Sequence, residues 1–362
     1  MITEAQILEQ LKKVEDPDLH QDIVSLGFVK NIKIQGSEIA FDIELTTPAC
    51  PVKDLLKSQA VDVVSKLDGV KKVNIQMTSN VKARATMSQG AVLPKVKNII
   101  AVASGKGGVG KSTVAANLAL ALGGSGAKVG LLDADIYGPS APTMFGVFEQ
   151  PQVNEAQQIL PIENHGIHLM SMGFLSRDDS PVIWRGPMVH GIIQQFLTRV
   201  EWGELDYLVI DLPPGTGDAQ LSLTQLAPIS GAVIVTTPQE VSLIDARKGL
   251  KMFQKVNVPV LGIVENMSYY VCSDCGKRAH IFRSGGGLKT AQEIKVPFLG
   301  EIPLEEEVTE AGDAGVPIVI KNPNSTVSKA YQQLAGRVAA ELSIVHMKNE
   351  GSASNFKIAW QA

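Results

Sequence analysis

Hydrophobic positions follow two different patterns along the chain, and the change falls near residue 90. In the first part, short amphipathic stretches predict a helix over 3–13, strands over 28–34 and 39–45, a helix over 52–67 and a strand over 70–77. This α-β-β-α-β order predicts a small α+β domain over residues 1–82. Residues 83–97 lose the periodicity and contain Gly90 and Pro94, which is typical of a linker.

From residue 98 onward the apolar runs become continuous, which indicates strands covered on both faces. The runs that predict strands are 99–103, 129–133, 167–171, 207–211, 232–236, 261–265 and 298–302. Helical stretches separate them, so the pattern predicts an α/β domain over 98–347, with a mostly parallel sheet flanked by helices. Active groups are expected at the carboxyl ends of such strands. Residues 348–362 are predicted to form a flexible tail.

Charge and cysteine content limit the classes of partner. The chain has 362 residues, with 33 Lys and Arg against 37 Asp and Glu. This balance lacks the basic excess that bulk nucleic-acid binding requires. The sequence contains no uninterrupted apolar run of about 18 residues, so we expect no membrane span, and the N-terminus shows no export signal. Three cysteines are too few for a disulfide framework, so we expect thiols in a reducing compartment and predict a cytoplasmic protein.

A glycine-rich segment follows the first strand of the second domain and matches G-x-x-x-x-G-K-[ST]. The residues expected to contact a nucleotide are Gly105, Gly107, Gly108, Val109, Gly110, Lys111, Ser112 and Thr113. In such a P-loop, backbone N–H groups bind phosphate oxygens, Lys111 reaches the β and γ phosphates, and Ser112 ligates Mg²⁺. A Gly-rich turn without function is the alternative, but a predicted strand before and helix after the segment favour the P-loop.

Two further strands end in carboxylates. Asp211 ends the strand over 207–211, where a Walker B aspartate would hold the Mg²⁺ shell, and the loop over 212–218 suits a γ-phosphate sensor. Asp133 and Asp135 end the strand over 129–133. We expect Asp135 to orient the attacking water and Asp133 to lie nearer the metal, unless one of them only caps a helix.

Lys106 is a second lysine in the same segment, and a phosphate cradle within one chain does not need it. It is either a solvated loop charge or a cation supplied to the nucleotide of a neighbouring subunit. The candidate catalytic residues are therefore Lys106, Lys111, Asp135 and Asp211.

Cys272 and Cys275 form a Cys-x-x-Cys pair, which suits a soft metal or an iron-sulfur cluster. The chain has no second pair, so a site with four thiolates requires two chains related by a two-fold axis. A redox dithiol, two structural cysteines, or zinc with His280 as a third ligand are the alternatives. Cys50 lies before a predicted helix, where it is either a thiol of lowered pKa or a buried apolar residue.

Several motifs together resemble one family. The segments SGKGGVGKST, DADIYGPS, DLPPGTGD and ENMSYYVCSDCG, followed by SGGG, resemble the Mrp-type iron-sulfur cluster carrier ATPases, a branch of the deviant-Walker group that includes MinD and ParA proteins. This likeness extends over about residues 95–345. Residues 5–85, with the segment TTPACP, resemble the metal-sulfur cluster assembly domain often fused ahead of that ATPase.

The resemblance implies a homodimeric ATPase that uses ATP and Mg²⁺. It implies that Cys272 and Cys275 pair with their symmetry mates to hold a labile [4Fe-4S] cluster, which is transferred to apo iron-sulfur proteins with assembly factors as partners. Lys106 would reach the nucleotide of the partner subunit, and Asn266 would contact adenine. A positioning ATPase like MinD or ParA and a nucleotide-dependent electron-transfer protein are the alternative functions.

Overall fold

The computed structural model describes residues 2–84, 92–175, 186–215, 217–272 and 275–354. Contacts divide these residues into two compact units, one formed by residues 2–82 with 339–354, and the other by 83–338. The second unit therefore ends before the domain boundary at 347 that the sequence predicts.

The first unit has the predicted order of main elements, with two short strands added after the first helix. Its elements are α1 (Glu4–Leu11), β1 (Glu15–Asp16), β2 (Gln21–Asp22), β3 (Val29–Gln35), β4 (Glu38–Leu45), α2 (Lys53–Ser65) and β5 (Lys72–Ser79). β4 is the central strand of a three-stranded sheet, antiparallel to β3 and parallel to β5. Alternate residues of β4 are buried, and residues four apart on α2 are buried in the same core: Ile39, Phe41, Ile43, Leu45, Leu56, Ala60 and Val64.

The second unit is built on an eight-stranded sheet with the order β15-β12-β11-β6-β10-β7-β9-β8. Its strands are β6 (Val96–Ser104), β7 (Val129–Asp133), β8 (Ile162–Asn164), β9 (Ile167–Ser171), β10 (Leu205–Asp211), β11 (Gly231–Thr236), β12 (Val260–Glu265) and β15 (Phe298–Glu301). A separate hairpin consists of β13 (Tyr270–Val271) and β14 (Arg278–Ala279). Its helices are α3 (Lys111–Gly124), α4 (Ala141–Phe145), α5 (Gly186–Thr198), α6 (Asp218–Leu226), α7 (Glu240–Lys255), α8 (Gly286–Ile294), α9 (Glu306–Asp313), α10 (Ile318–Lys321) and the first part of α11 (Thr326–Ser354).

All neighbouring strands of this sheet are parallel except β8 and β9, which confirms the predicted fold class. The middle strands are buried on both faces, as their continuous apolar runs predict. β6 lies between β10 and β11, so the ends of β6 and β10 meet at one edge of the sheet. That edge is where the glycine-rich segment and the aspartates of the sequence motifs come together.

The end of the chain differs from the predicted tail. α11 continues to Ser354, and its last part belongs to the first unit, where the Ser343 hydroxyl donates to the Thr46 hydroxyl at 2.9 Å. Residues 355–362 of the predicted tail and residues 85–91 of the predicted linker lie outside the described residues. Within the described ranges, no helix combines the length and apolar character needed to cross a membrane.

Candidate functional site

The glycine-rich loop connects β6 to α3 at the carboxyl edge of the central sheet. Gly108 and Gly110 have φ angles of 79° and 78°, in the left-handed region that favours glycine. α3 begins directly after the loop, at Lys111, so its unpaired N–H groups and the positive end of its dipole lie at the loop. This is the geometry of a phosphate-binding loop.

Two glycines of the loop allow close packing against other elements. A Cβ on Gly105 would overlap the backbone carbonyl of Asp245 in α7, and a Cβ on Gly110 would overlap the side-chain amide of Asn266 after β12. At Gly107, by contrast, a Cβ would meet no atom within 4 Å. The loop is therefore held by α7 and the end of β12, and it is open at Gly107.

Lys111 is buried beside the predicted carboxylates. Its ammonium contacts the Asp211 carboxylate, and Nζ lies 3.3 Å from the Ser112 hydroxyl and 3.9 Å from the Asp135 carboxylate. The ends of β7 and β10 and the start of α3 thus bring together residues from three segments that lie far apart in the sequence.

Burial raises the pKa of the three carboxyl groups at this edge. The pKa of Asp133 rises to about 6, because burial and the nearby charge of Asp211 outweigh the N–H groups that donate to it. Burial is also the largest cause of the raised pKa of Asp211 and of Asp135, and the Lys111 ammonium opposes it in both. Of the three, Asp211 and Asp135 pair with the Lys111 ammonium.

The carboxylate of Asp133 accepts hydrogen bonds from the chain's own donors. These are the N–H groups of Asp135 at 3.1 Å, Ser140 at 2.9 Å and Ala141 at 3.0 Å, and the Ser171 hydroxyl at 3.1 Å. Since Ser140 and Ala141 stand at the start of α4, Asp133 caps that helix, as the sequence allowed for one of the two aspartates. A place for Asp133 near the metal stays a prediction.

Ser112 and Asp211 fit a magnesium ion. Their side chains are within hydrogen-bond reach of each other, and hydroxyl and carboxylate oxygens are the hard ligands that Mg²⁺ prefers. In the part of the chain that the structure describes, no group of three or more His, Cys, Asp or Glu side chains is arranged to hold a metal ion.

A cavity of about 470 Å³ opens beside the end of the glycine-rich loop. Gly110, Asn266, Pro303 and Glu305 are among the residues that line it. The Asn266 amide donates to the Val109 carbonyl at 2.9 Å, so the residue predicted to contact adenine lies where loop and cavity meet. A cavity of this size with mixed polar and apolar walls can take a nucleobase.

The loop after β10, predicted as a γ-phosphate sensor, is tied to β6. The Gly215 N–H donates to the Ser104 carbonyl at 3.0 Å, and the Gln220 side chain donates to the Pro213 carbonyl at 2.5 Å. The first bond reaches β6 and the second reaches α6, and the sequence analysis assigned no role to either Ser104 or Gln220. Thr216 of the same loop lies outside the described residues.

Lys106 has an exposed side chain. The Ser104 hydroxyl donates to its carbonyl at 2.9 Å, which fixes the backbone from which the side chain projects. A solvated charge and a cation for a second copy both require this exposure. The action of Lys106 on a partner's nucleotide therefore stays a prediction.

The two thiols of the Cys-x-x-Cys pair lie at the tip of the hairpin formed by β13 and β14. The Cys272 N–H donates to the Lys277 carbonyl at 3.1 Å, and the Gly276 N–H donates to the Cys272 carbonyl at 2.9 Å. Gly276 has a φ of 68°, which suits the tight turn. Cys275 is exposed, Cys272 is half-buried, and neither forms a disulfide.

His280, the third ligand of the zinc alternative, lies at the base of the hairpin. Its Nδ1 is 3.3 Å from the Ser268 carbonyl. Zinc at the two cysteines stays an alternative to the cluster.

Cys50 is the third thiol, and it lies half-buried against the core of the first unit. Burial raises its pKa to about 11, and the carboxylates of Asp16 and Asp18 act in the same direction. The N–H of Val52 opposes this effect but does not reverse it. The lowered pKa considered for a thiol before a helix is therefore absent.

Glu265 is a buried residue of the site region that the sequence analysis missed. It ends β12, directly before Asn266, and its side chain is fully buried. Its position at the end of an apolar strand run is the one local indication of a role, because a carboxylate buried there needs hydrogen-bond partners. Those partners come from residues up to 22 positions later, which no local pattern indicates.

Comparison with known proteins matches both parts of the chain. The ParA family model described as NUBPL iron-transfer P-loop NTPase matches residues 95–339, and a model described as iron-sulfur cluster assembly protein matches residues 4–77. An iron-sulfur cluster carrier protein from Synechocystis is 51% identical over 349 residues, which cover 95% of this chain and 99% of that protein.

Two solved structures agree with the fold. A nucleotide-binding protein from Archaeoglobus fulgidus, in complex with ADP, is 44% identical with a TM-score of 0.56, over 62% of this chain and 88% of that chain. The cell division ATPase MinD from Pyrococcus furiosus is 25% identical with a TM-score of 0.51, over 67% of this chain and 98% of that chain. These matches confirm the family resemblance that the sequence motifs predicted. The chain belongs to the NUBPL-type iron-transfer P-loop NTPases of the ParA group, preceded by an iron-sulfur cluster assembly domain.

Proposed function

We propose that this protein is an ATP-hydrolysing iron-sulfur cluster carrier, which holds its cluster between two copies of the chain and transfers it to apoproteins. The observation that carries the proposal is the exposed cysteine hairpin, which follows the same strand, β12, whose end contacts the glycine-rich loop. The carrier name of the Synechocystis relative supports it.

ATP is proposed to bind with its phosphates on the glycine-rich loop and its base in the cavity beside Asn266. Lys111 would leave Asp211 to reach the β and γ phosphates, and Asp135 would orient the attacking water. Ser112 and Asp211 would hold Mg²⁺, which neutralises phosphate charge when bound. Thr113 and the loop N–H groups would complete the phosphate contacts.

The cluster is the cargo of this proposal. Each chain offers two thiolates, from Cys272 and Cys275, and a [4Fe-4S] cluster takes four. A homodimer supplies the missing pair, and the exposed Lys106 is then a cation available to the second copy's nucleotide. Binding and hydrolysis would change the dimer geometry through the loop after β10, and with it cluster retention.

Client apoproteins and assembly factors are the proposed partners, and nucleic acid is not. The net charge of −4 gives no broad basic surface for a phosphate backbone. None of the three cysteines forms a disulfide, which fits a reducing compartment, and we place the protein in the cytoplasm.

Anaerobic reconstitution with iron and sulfide tests this function. We expect about one four-iron cluster per two chains in the wild type, measured by visible absorption and metal counting, and none in Cys272→Ala. Cys50→Ala is the matched control and should reconstitute like the wild type, since its thiol belongs to the other unit and has a raised pKa. A colourless wild-type protein, or a cluster held by single chains, would contradict the proposal.

A further inference from the structure

Glu265 carries a buried carboxylate that none of the proposed steps uses. Its residue is 0% exposed, and both carboxylate oxygens accept hydrogen bonds. Oε1 accepts from the Ser268 hydroxyl at 2.6 Å and from the Gly285 N–H at 3.2 Å. Oε2 accepts from the Gly287 N–H at 2.5 Å.

These donors lie at the two ends of one long loop of the chain. We call residues 268–285 the cysteine loop: it leaves the sheet after β12 at Ser268, carries Cys272 and Cys275, and returns to α8 at Gly285. One carboxylate therefore ties the start of the cysteine loop to its end. At the return it also accepts the first N–H groups of α8, where a negative charge is favourable.

The glycines of the SGGG motif permit this contact. A Cβ on Gly287 would lie 3.0 Å from both Cβ and Oε2 of Glu265, and a Cβ on Gly286 would lie 2.6 Å from the Leu243 side chain. Gly285 has a φ of 73°. Side chains at these positions would push the start of α8 away from the carboxylate, which gives a physical reason for three consecutive glycines.

The stem of the cysteine loop has further contacts at the same end. The Leu304 N–H donates to the Tyr269 carbonyl at 2.7 Å, and the Arg278 guanidinium lies 4.2 Å from the centre of the Tyr269 ring. The hairpin itself pairs only two residues of each strand. Because so short a ladder is weak alone, the position of the thiols depends on how the stem is anchored.

We propose that Glu265 is a positioning residue for the cysteine pair: it holds both ends of the cysteine loop so that Cys272 and Cys275 present their thiolates in a fixed geometry. This inference rests on the proposed carrier function. It also places the anchor next to Asn266, so consecutive residues at the end of β12 contact the cysteine loop and the nucleotide loop.

Glu265→Gln tests the proposal in the full-length protein. A Gln side chain has one acceptor oxygen where the carboxylate has two, so one loop end meets an NH₂ group instead of an acceptor. The matched control is Glu301→Gln. Glu301 pairs with Glu265 in the register of β12 and β15, and its charge acts on the Tyr269 phenol of the cysteine loop. The anchoring donors of Ser268, Gly285 and Gly287 bond to Glu265.

After reconstitution with iron and sulfide, cluster loss to an iron chelator is followed by visible absorption and circular dichroism. We expect loss about tenfold faster in Glu265→Gln, with an altered circular dichroism spectrum, and wild-type behaviour in Glu301→Gln. Thermal unfolding and ADP binding serve as checks of the fold. If Glu265→Gln does not fold, Ser268→Ala removes one anchored end alone and should show a smaller acceleration in the same direction.

The outcomes separate the two proposals. A wild type that holds a cluster and a Cys272→Ala variant that does not, together with unchanged loss in Glu265→Gln and Ser268→Ala, would overturn the positioning role and leave the carrier function standing. A wild type that binds no cluster would overturn both. Equal acceleration in Glu301→Gln would assign the effect to charge at this edge and would also overturn the positioning role.

Discussion

At the scale of single residues, the Asp133 carboxyl group links burial to pH dependence. Its pKa is about 6 in the fold against 3.8 without burial, so the native state binds a proton that the unfolded chain releases. The stability that this group contributes is present below about pH 3.8 and is lost as the pH rises through about 6. The same direction applies to Asp135 and Asp211, whose pKa values burial also raises.

Asp133→Asn removes this titration. The NH₂ group of the Asn side chain must face at least one of the N–H groups that donate to the carboxylate in the wild type. We therefore expect the free energy of unfolding to fall by about 1–3 kcal/mol at pH 5. The difference in unfolding free energy between the variant and the wild type should shrink by about 1 kcal/mol between pH 5 and pH 7, because only the wild type loses the Asp133 contribution in that range.

Urea unfolding in buffers with a metal chelator measures this difference. Asp54→Asn, at an exposed position in the first turn of α2, is the control and should keep a constant offset from the wild type. A gap between Asp133→Asn and the wild type that stays the same from pH 5 to pH 7 would be inconsistent with the raised pKa.

At the scale of elements, the glycine-rich loop is shaped by α7 as well as by phosphate chemistry. Gly105→Ala would place a methyl group against the backbone carbonyl of Asp245 in α7, and helix backbone cannot move far enough to make room for it. We expect a loss of about 1–3 kcal/mol in unfolding free energy. Gly107→Ala, with no atom within 4 Å of the new Cβ, should change it by less than about 0.5 kcal/mol. Equal losses, measured by urea unfolding, would argue against the packing explanation.

The elements that the sequence predicts well are those whose signal is local. Continuous apolar runs located seven strands of the central sheet within a few residues, because burial on both faces leaves its pattern in each strand alone. β8 was missed, since it has three residues and pairs antiparallel at the edge of the sheet. α11 continues into the predicted tail, as far as Ser354, and its last turns belong to the first unit, which no local pattern reveals.

The same division applies to the site. The P-loop motif and the strand-end aspartates could be found because short segments contain them. Ser104 and Glu265 lie in motif segments too, but their roles could not be predicted, because each acts through partners that only the fold brings near. The thiol of Cys50 shows where a local pattern misleads. Its position before a helix suggests a lowered pKa, whereas burial raises the pKa in the fold.

At the scale of the whole molecule, the proposed dimer makes each nucleotide site depend on two chains. Lys106→Ala should lose ATP hydrolysis because its partner's site lacks the added cation, and Asp135→Asn should lose it because its own site lacks the water-orienting carboxylate. Mixing the two inactive variants should restore activity. One of the two sites in each mixed dimer then combines an intact Asp135 with the partner's Lys106.

A steady-state phosphate-release assay on the mixture checks this expectation. Random pairing predicts recovery to about a quarter of the wild-type rate per chain, since half of the dimers are mixed and each has one complete site. Each variant alone, at the same total concentration, is the control. An inactive mixture would place Lys106 on its own chain's nucleotide, and an active Lys106→Ala variant would make its charge a solvated one.

The contact between the Lys111 ammonium and the Asp211 carboxylate has a thermodynamic consequence. A phosphate that binds Lys111 leaves the Asp211 carboxylate without its ammonium partner, and a magnesium ion that binds Asp211 leaves Lys111 without its carboxylate partner. Each ligand thus frees the side chain that the other ligand binds. Nucleotide and metal should therefore enter cooperatively, each raising the affinity for the other by the same factor, and neither should occupy the pocket well in isolation.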